Sequence, residues 1–439
     1  MKYSQFNSII PYRNKFALYN TFEKKVIFLE PELKNILVRE MQDGIENLLN
    51  IYPDFYSYLS ENNFLVKNDL DEVGEIKKLV YTIDENKKKY DLTINPTVNC
   101  NFKCWYCYET HIKQSKMNTN TISRINKLIR TIAQNEELEV VNVSFFGGEP
   151  LLYFEKVVIP IIDEFIPIMK KFNKQFTVGF TTNGYLINDK FLNYFDQKQL
   201  KPHFHITLDG YRENHDKVRF VTKTKGSYET IINNIKRIVE NELFVRVRVN
   251  YTDKNIEDTY KIADDLLIIE KEVAKKYLLI DFHRVWQNDK RDDVEMIVDR
   301  NVELIKNKGF NVKSSSYCND TVRGSCYADK RNSAVINYNG DLFKCTSRDF
   351  KTENREGFLT DEGEIVWENN SLERRMKAKF NNKPCLACRL LPICNGACTQ
   401  IALENADKRD FCIHSFREEE KDKVIKTMVD LIMYEDEAT

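Results

Sequence analysis

Apolar segments of two different lengths alternate through the middle of the chain. Six short segments have the composition of strands, and they lie at residues 90–97, 140–148, 176–184, 202–210, 244–252 and 277–286. Longer segments with helical periodicity separate them, for example at residues 121–137, 228–242 and 256–276. Strands that alternate with helices predict parallel βαβ units. Six such units predict an α/β fold, a partial (β/α)6 barrel of the TIM type, with reactive groups at the C-terminal ends of its strands.

The segment before residue 89 has a different pattern, in which predicted strands come first and a long helical stretch follows. Residues 15–22 and 25–31 are predicted to form two strands, and residues 31–66 have helical character. The charged run DENKKK at residues 84–89 is predicted to be a linker. We therefore expect a small α+β domain at residues 1–88.

Composition narrows the class of protein. The chain has 439 residues, which predicts two or three domains, and its formal net charge of -1 offers no electrostatic argument for nucleic acid or for an anionic membrane. The sequence contains neither a secretory signal nor an apolar run long enough for a membrane span. We expect a cytoplasmic protein, in which the eleven cysteines serve as metal ligands rather than as disulfides.

The cysteines are unevenly distributed. None precedes Cys100, three lie between Cys100 and Cys107, and eight lie between Cys318 and Cys412. This distribution divides the chain into three predicted domains, at residues 1–88, 89–310 and 311–439.

The first group of cysteines is unusual because it has three members. Cys100, Cys104 and Cys107 are separated by three residues and then by two. A structural zinc site needs four ligands, and His111 is the only nearby candidate for the fourth. Disulfide pairing would leave a free thiol. A [4Fe-4S] cluster held by three cysteines would keep one iron open to a ligand that is not protein, which suggests chemistry.

Several predicted strands end in polar or glycine-rich motifs. The cysteine group follows the first strand, and GGEP (147–150), TTNG (181–184) and TLDG (207–210) follow later ones. Each motif alone would be explained by a tight turn. Several such motifs at the ends of neighbouring strands, beside a cysteine triad, instead indicate that these strand ends form a functional site.

These motifs together resemble the radical S-adenosylmethionine (SAM) enzymes. The resemblance rests on the cysteine triad, with Tyr106 directly before its last cysteine, and on GGEP after the next strand. It implies a radical SAM barrel in which the triad binds a [4Fe-4S] cluster. The open iron would be chelated by SAM, and a reductant such as flavodoxin or ferredoxin would trigger cleavage of SAM to a 5′-deoxyadenosyl radical. That radical can take hydrogen from an unactivated carbon.

The resemblance also implies a set of residues that bind SAM. Gly147, Gly148 and Glu149 would hold its amino end through backbone and carboxylate acceptors. Asn183 and Thr207 would lie near the ribose, where relatives more often have serine at the second position. The remaining expected contacts are Tyr106 and the basic Arg219.

The later cysteines resemble the SPASM domain, a C-terminal extension of radical SAM enzymes that holds two auxiliary [4Fe-4S] clusters. The pair CLAC (385–388) alone would also fit half a zinc ribbon. The first auxiliary cluster is expected at Cys318, Cys326, Cys345 and Cys398. The second is expected at Cys385, Cys388, Cys394 and Cys412. Such clusters would move electrons, although a structural role would give the same spacing.

The segment at residues 1–88 is similar in length, pattern and position to the winged-helix, PqqD-like elements that bind leader peptides. An N-terminal cap on the barrel would explain the same pattern.

Three functions remain open at this stage. The first is a radical SAM peptide maturase that installs a thioether or carbon-carbon cross-link in a ribosomally made precursor with a leader. The second is an anaerobic sulfatase-maturing enzyme, whose relatives have an aspartate where Thr346 follows Cys345. The third is an iron-sulfur electron carrier or redox sensor. No catalytic base is identified, and Asp209, Asp281 and Tyr317 are candidates by location only.

Overall fold

The computed structural model describes residues 1–222, 224–288, 292–314, 322–408 and 410–437. Contacts divide the chain into two units, neither of which is a continuous segment. Unit 1 contains Met1–Asn86, Tyr317–Arg331 and Leu372–Thr439. Unit 2 contains Lys87–Ser316 and Asn332–Ser371.

The N-terminal part of unit 1 begins with a small sheet and continues with helices. Its strands are β1 (Lys2–Tyr3), β2 (Asn7–Tyr12), β3 (Lys15–Asn20), β4 (Lys25–Leu29) and β5 (Leu65–Val66). Its helices are α1 (Pro31–Asp43), α2 (Leu48–Ile51), α3 (Pro53–Glu61) and α4 (Glu72–Asp84). Strands β2, β3 and β4 form an antiparallel sheet in that order, and β1 pairs with β5.

Both strands predicted for this part are present, but the sequence did not predict β2. Pro11 interrupts its pattern, and proline is tolerated here because β2 is an outer strand of the sheet. The predicted helical segment 31–66 is divided at Gly44, which has a positive φ of 125°, and again at Tyr52, just before Pro53.

Unit 2 is built on one long sheet. Its strands are β6 (Lys89–Ile94), β7 (Val140–Phe145), β8 (Gln175–Thr182), β9 (His203–Leu208), β10 (Phe220–Thr222), β11 (Lys225–Gly226), β12 (Val245–Tyr251), β13 (Leu278–Arg284), β14 (Asn311–Ser314), β15 (Ser333–Ile336), β16 (Asp341–Phe343), β17 (Gly357–Leu359) and β18 (Ile365–Trp367). All but β10 and β11 belong to the sheet, in the order β14-β13-β12-β9-β8-β7-β6-β15-β16-β17-β18.

The six strands predicted from the sequence are adjacent in this sheet and parallel. They are β6, β7, β8, β9, β12 and β13, in chain order, so their C-terminal ends meet at one edge. This confirms the predicted α/β fold with a mostly parallel sheet. Strands β16, β17 and β18 extend the sheet in antiparallel fashion.

Helices in unit 2 follow most of the parallel strands. They are α5 (Thr119–Gln134), α6 (Ile159–Lys171), α7 (Asp189–Gln197), α8 (Arg212–Val218), α9 (Tyr228–Glu240), α10 (Ile262–Leu266), α11 (Lys271–Tyr277) and α12 (Asp292–Asn307). The side chain of Asn118 accepts a hydrogen bond from the Thr121 amide, which caps α5. The predicted helix 256–276 is instead interrupted between α10 and α11, where the fold leaves the apolar Leu267 and Ile268 exposed to solvent.

The C-terminal part of the chain is helical. It contains α13 (Ser371–Met376), α14 (Lys383–Leu386), α15 (Leu391–Cys394), α16 (Thr399–Glu404) and α17 (Glu418–Glu437). Within the described residues, no helix combines the length and the hydropathy that a membrane crossing requires.

Apolar clusters cover both faces of the small sheet in unit 1. On one face, Ala17 and Tyr19 of β3 belong to a cluster with C-terminal residues such as Ile393 and Ile425. On the other face, Leu18 packs in a cluster with the following helices. The N-terminal segment therefore shares a core with the C-terminal helices, and its removal would expose that core to water.

A buried lysine joins three segments of unit 1. The ammonium of Lys379 lies 2.6 Å from Asp84 Oδ2 and 3.1 Å from Asp329 Oδ2, and all three side chains are at most 7% exposed. Asp84 belongs to the predicted linker 84–89, yet it ends α4 and is buried. Burial raises the pKa of Asp84, and Lys379 opposes this shift.

We expect the substitution Lys379→Met to destabilise the protein by about 3–5 kcal/mol, because it leaves two buried carboxylates without their cation. Urea unfolding of the reconstituted protein measures this loss. The matched control is Lys377→Met, since Lys377 is exposed on the same segment and should change the free energy of unfolding by less than about 0.5 kcal/mol. Equal effects of the two substitutions would contradict the importance of the buried cluster.

Candidate active site at the strand ends of unit 2

The loop that carries the cysteine triad starts at the C-terminal end of β6. Cys100 and Cys104 are partly buried, and Cys107 is exposed. The amide of Phe102 donates to Cys100 Sγ at 3.4 Å, and the amide of Cys107 donates to the Cys104 carbonyl at 3.1 Å. Burial raises the pKa of Cys100 to about 12, so metal binding would have to release a proton from this thiol.

The GGEP turn after β7 lies directly against this loop. The amide of Glu149 donates to the Asn99 carbonyl at 2.9 Å. Gly148 has a positive φ of 49°, and a Cβ there would lie 2.2 Å from the Asn99 carbonyl oxygen. Gly147 is similarly confined, because its Cβ would lie 2.7 Å from Cγ of Asn95. Glycines are therefore required for the turn to approach the cysteine loop.

The Glu149 carboxylate is fully buried and holds strand ends together. It accepts hydrogen bonds from Thr182 Oγ1 at 2.7 Å, from the Asn183 amide at 2.8 Å and from the Leu151 amide at 3.0 Å. A carboxylate has room for about four such bonds, so little of its capacity is left. Its observed contacts position the turn, while binding of a cofactor amino group stays a prediction.

Glu109 is a carboxylate at this turn that the sequence did not identify. Its Oε2 accepts a hydrogen bond from the Gly148 amide at 2.7 Å. Burial raises the pKa of Glu109 to about 7. Its position two residues after Cys107 was visible in the sequence, but the contact with Gly148 depends on how the loop folds back.

Asn183, at the end of β8, also contacts the cysteine loop. Its side-chain Nδ2 donates to Asn101 Oδ1 at 2.8 Å, and the Tyr185 amide donates to its Oδ1 at 3.0 Å. Thr207 lies on β9, half-buried, and is paired in register with Arg248 of β12.

Tyr106 is the centre of a polar network that joins the ends of three further strands. Its hydroxyl donates to Asp209 Oδ1 at 2.5 Å and accepts from Arg219 Nη2 and from Asn250 Nδ2, each at 2.9 Å. Its carbonyl accepts from Gln287 Nε2 at 2.8 Å. Burial raises the pKa of the Tyr106 phenol well above its usual value.

Arg219 and Asp209 form a buried ion pair within this network. Their side chains are 11% and 2% exposed, and Nε of the arginine contacts Oδ2 of the aspartate. Both groups are thus engaged in holding Tyr106. Of the other candidate bases, Asp281 lies on β13 with Oδ2 at 3.0 Å from His283 Nε2, and Tyr317 lies outside the described residues.

The arrangement fits a cluster with one open iron and its cofactor. The donor set consists of three thiols on one loop, and the glycine turn beside them admits no side chain. Both amide atoms of the buried Asn95 also have no hydrogen-bond partner among the described residues. Thiols are the ligand type that such a cluster takes, while binding of the cluster and of SAM by these residues stays a prediction.

Four of the later cysteines line one cavity in unit 1. The cavity of about 340 Å³, which includes space open to solvent, is bordered by Cys385, Cys388, Cys394 and Cys412. Asn382 Nδ2 donates to Cys385 Sγ at 3.0 Å and to the Phe411 carbonyl at 2.7 Å. The cysteines predicted for the second auxiliary cluster are therefore brought together.

The other cysteines lie in different parts of the chain. Cys326 and Cys398 belong to unit 1, where the amide of Asp329 donates to the Cys326 carbonyl at 2.9 Å. Oδ1 of Asp329 accepts from the amide and the hydroxyl of Thr399, which follows Cys398. Cys345 belongs to unit 2, and Cys318 lies outside the described residues. Their shared cluster stays a prediction.

Known proteins resemble this chain in sequence and in fold. A model of the radical SAM superfamily matches residues 94–266. The cysteine-type anaerobic sulfatase-maturating enzyme of Clostridium novyi is 33% identical over 186 residues, which are 40% of this chain and 48% of the relative, so the match spans about half of that protein. The radical SAM cyclopropyl synthase TigE of Paramaledivibacter caminithermalis is 22% identical over 89% of this chain and 88% of its own.

A solved structure is similar in fold along most of the chain. Streptococcus suis SuiB bound to precursor peptide SuiA has a TM-score of 0.55 and 16% sequence identity, and the match covers 95% of this chain and all of SuiB.

We expect Tyr106→Phe to lower the free energy of unfolding by about 1–3 kcal/mol, because three buried polar groups lose their shared partner. Chemical denaturation measures the change. Tyr108→Phe is the matched control, since the Tyr108 side chain is more exposed and its hydroxyl makes a hydrogen bond to the Thr346 carbonyl at 2.8 Å. If Tyr106→Phe cost no more than Tyr108→Phe, the network would not brace the cysteine loop.

Proposed function

Because residues 94–266 are a radical SAM domain, and this chain's relatives with that domain are enzymes, we propose that the protein is a peptide maturase. It takes hydrogen from a ribosomally made precursor peptide and installs a cross-link of the thioether or carbon-carbon type. An external reductant such as flavodoxin or ferredoxin supplies the electrons.

The extent of similarity along the chain is the observation that supports this proposal. The cyclopropyl synthase matches 89% of the chain, and the fold of SuiB, solved with a precursor peptide, matches 95%. Similarity over this length includes the segments before and after the radical SAM domain. A peptide is therefore the substrate class that best fits the whole chain.

When bound, SAM and the [4Fe-4S] cluster supply the radical chemistry that acts on an unactivated carbon. The protein supplies ligands and orientation. Cys100, Cys104 and Cys107 would hold the cluster, and Gly147 and Gly148, where a side chain does not fit, would leave backbone groups available to the amino end of SAM. Tyr106, fixed by its hydrogen bonds, would help to position the cofactor.

Two auxiliary [4Fe-4S] clusters belong to the same proposal. The four cysteines around the cavity in unit 1 hold one of them, and Cys318, Cys326, Cys345 and Cys398 hold the other. With all their irons bound by protein, such clusters would supply electron transfer rather than bind the substrate directly.

Formylglycine generation is the second candidate, because the sulfatase-maturating enzyme is 33% identical to this chain over 186 residues. In those relatives an aspartate acts as a base where this chain has Thr346. The hydroxyl of threonine cannot serve as a carboxylate base, which favours the peptide maturase.

Mass spectrometry distinguishes the two activities. We expect a precursor peptide encoded next to this enzyme, coexpressed with it, to lose two hydrogen atoms for each cross-link. Conversion of cysteine to formylglycine would instead also replace sulfur with oxygen. An unmodified precursor in the presence of reductant and SAM would contradict the proposal.

The control enzyme carries alanine at Cys100, Cys104 and Cys107. It should leave the precursor unmodified and lose roughly four of about twelve irons, as expected when one of three four-iron clusters is removed. The irons that remain show that the rest of the protein is folded.

We also propose that residues 1–88 form the PqqD-like element that recognises the leader. Both faces of the sheet β2-β3-β4 are covered by apolar clusters, so a peptide can join it only at an outer strand. Strand β2 packs beside α17, where Tyr12 donates to Asp430 Oδ1 at 2.7 Å. The edge of β4 is the better place for an added strand, which would bind through backbone hydrogen bonds.

We expect the full precursor to slow amide hydrogen exchange in β4, because an added strand would pair with its free edge. Exchange monitored by mass spectrometry compares peptides from β4 with peptides from β2, which should not change. A precursor without its leader should protect neither strand. Equal exchange in β4 with and without the full precursor would favour a simple N-terminal cap.

A further inference from the structure

The parallel sheet of unit 2 has an apolar face and a polar face. Side chains at alternate positions of β9, β12 and β13 belong to the apolar core, for example Ile206, Val247 and Ile280. The intervening positions face the other way. They are His203, His205 and Thr207 on β9, Arg246, Arg248 and Asn250 on β12, and Asp281 and His283 on β13.

Arg248 lies near the cysteine loop but, unlike Arg219, forms no ion pair with a carboxylate among the described residues. Its Nε donates to the neutral Asn250 Oδ1 at 2.8 Å, and among the described residues no carboxylate forms an ion pair with it. By contrast, Arg219 is paired with Asp209. Burial lowers the pKa of Arg248, although an arginine stays charged at neutral pH.

Asp281, the register partner of Arg248 on β13, is already engaged elsewhere. Its Oδ2 lies 3.0 Å from His283 Nε2 and 3.9 Å from Arg246 Nη1. Its Oδ1 is buried and has no hydrogen-bond partner in the described part of the chain. Two guanidinium groups therefore face one carboxylate, with an acceptor still available beside them.

The histidines on β9 do not change this balance. Burial and the nearby Arg246 lower the pKa of His203 and bring that of His205 to about 4, so both rings are neutral at pH 7. The patch thus has a net positive charge. A largely buried guanidinium whose hydrogen-bond partner is neutral is unfavourable, and a carboxylate is the group that fits its planar donors best.

On the basis of the proposed function, we propose that Arg248 binds the carboxylate of an acidic residue in the peptide substrate. Asp281 Oδ1 accepts an amide N–H next to that residue. Asn250, which accepts from Arg248, also donates to the Tyr106 hydroxyl at 2.9 Å. The acidic residue would therefore be held one side chain away from the loop that carries the cysteine triad, and it would select which part of the peptide is presented.

The carboxylate of SAM has the same chemistry, so the test uses protein already saturated with SAM. Glutarate serves as the probe for an acidic side chain, and the neutral glutaramide as its control. Saturation-transfer NMR measures the affinity of the reconstituted enzyme for each. We expect glutarate to bind and glutaramide to bind more weakly. The substitution Arg248→Met should lower the affinity for glutarate by about tenfold, as the loss of a charged hydrogen bond predicts. Arg248→Lys should restore part of the affinity.

The matched control is Arg130→Met, which removes an arginine whose side chain is 57% exposed on α5 and should leave glutarate binding unchanged. Equilibrium dialysis should give the same affinity for SAM in Arg248→Met as in the unaltered enzyme. A loss of SAM affinity with unchanged glutarate binding would assign Arg248 to the cofactor and overturn the proposal. Glutarate binding that is equal in all variants would overturn it as well.

Thermal unfolding separates a binding role from a structural one. Arg248→Met should melt at the same temperature as the unaltered protein or higher, because it removes an uncompensated charge. Arg219→Met should melt lower, because it leaves Asp209 unpaired. If both variants lost the same amount of melting temperature, Arg248 would have a structural role and the proposal would be wrong. Glutarate binding at Arg248 without any modification of a precursor would overturn the peptide maturase and leave the anion site in place.

Discussion

The cysteine loop must be held in place by groups from other parts of unit 2, because a segment without regular helix or strand structure is not fixed by its own few hydrogen bonds alone. The structure meets this requirement with hydrogen bonds from the ends of the strands that follow β6. Glu149 and Asn183 contact the loop near Cys100, while Asp209, Asn250 and Gln287 contact it at Tyr106. The parallel arrangement of the strands is what brings these five residues to one edge.

Two kinds of buried charge serve this arrangement. Glu149 and the Asp209–Arg219 pair are satisfied by protein groups and therefore act as braces. Arg248 has only a neutral partner, and Asp281 keeps one oxygen without a partner among the described residues. Charges satisfied within the fold favour one conformation, whereas unsatisfied charges favour a ligand. The difference separates residues that position the site from residues that are available to a substrate.

In unit 1, too, contacts between segments that are distant in the chain support the part that carries the cysteines. The β2-β3-β4 sheet from the start of the chain shares an apolar core with α15 and α17 from its end. Lys379 links Asp84 to Asp329 within the same unit. The N-terminal segment is therefore part of the support for the cysteine-lined cavity, so the proposed leader recognition and metal binding would depend on a common core.

The sequence by itself determined most of the elements of the parallel sheet and the spacing of the candidate metal ligands. The six strands, the alternation with helices and the cysteine spacing were all readable, because local periodicity and ligand spacing depend on residues that are close in the chain. Local periodicity did not predict β2, because Pro11 interrupts its pattern. It also predicted one helix where the structure has α10 and α11, because the apolar residues between them are exposed rather than buried. Tertiary structure alone decided the partners of the site. The contacts of Tyr106 with Asp209 and Gln287 join residues 103 and 181 positions apart, and neither spacing leaves a periodic signal. Burial decided the rest, since only the fold shows that Asp84 is buried and that Arg248 forms no ion pair with the carboxylates that the structure describes.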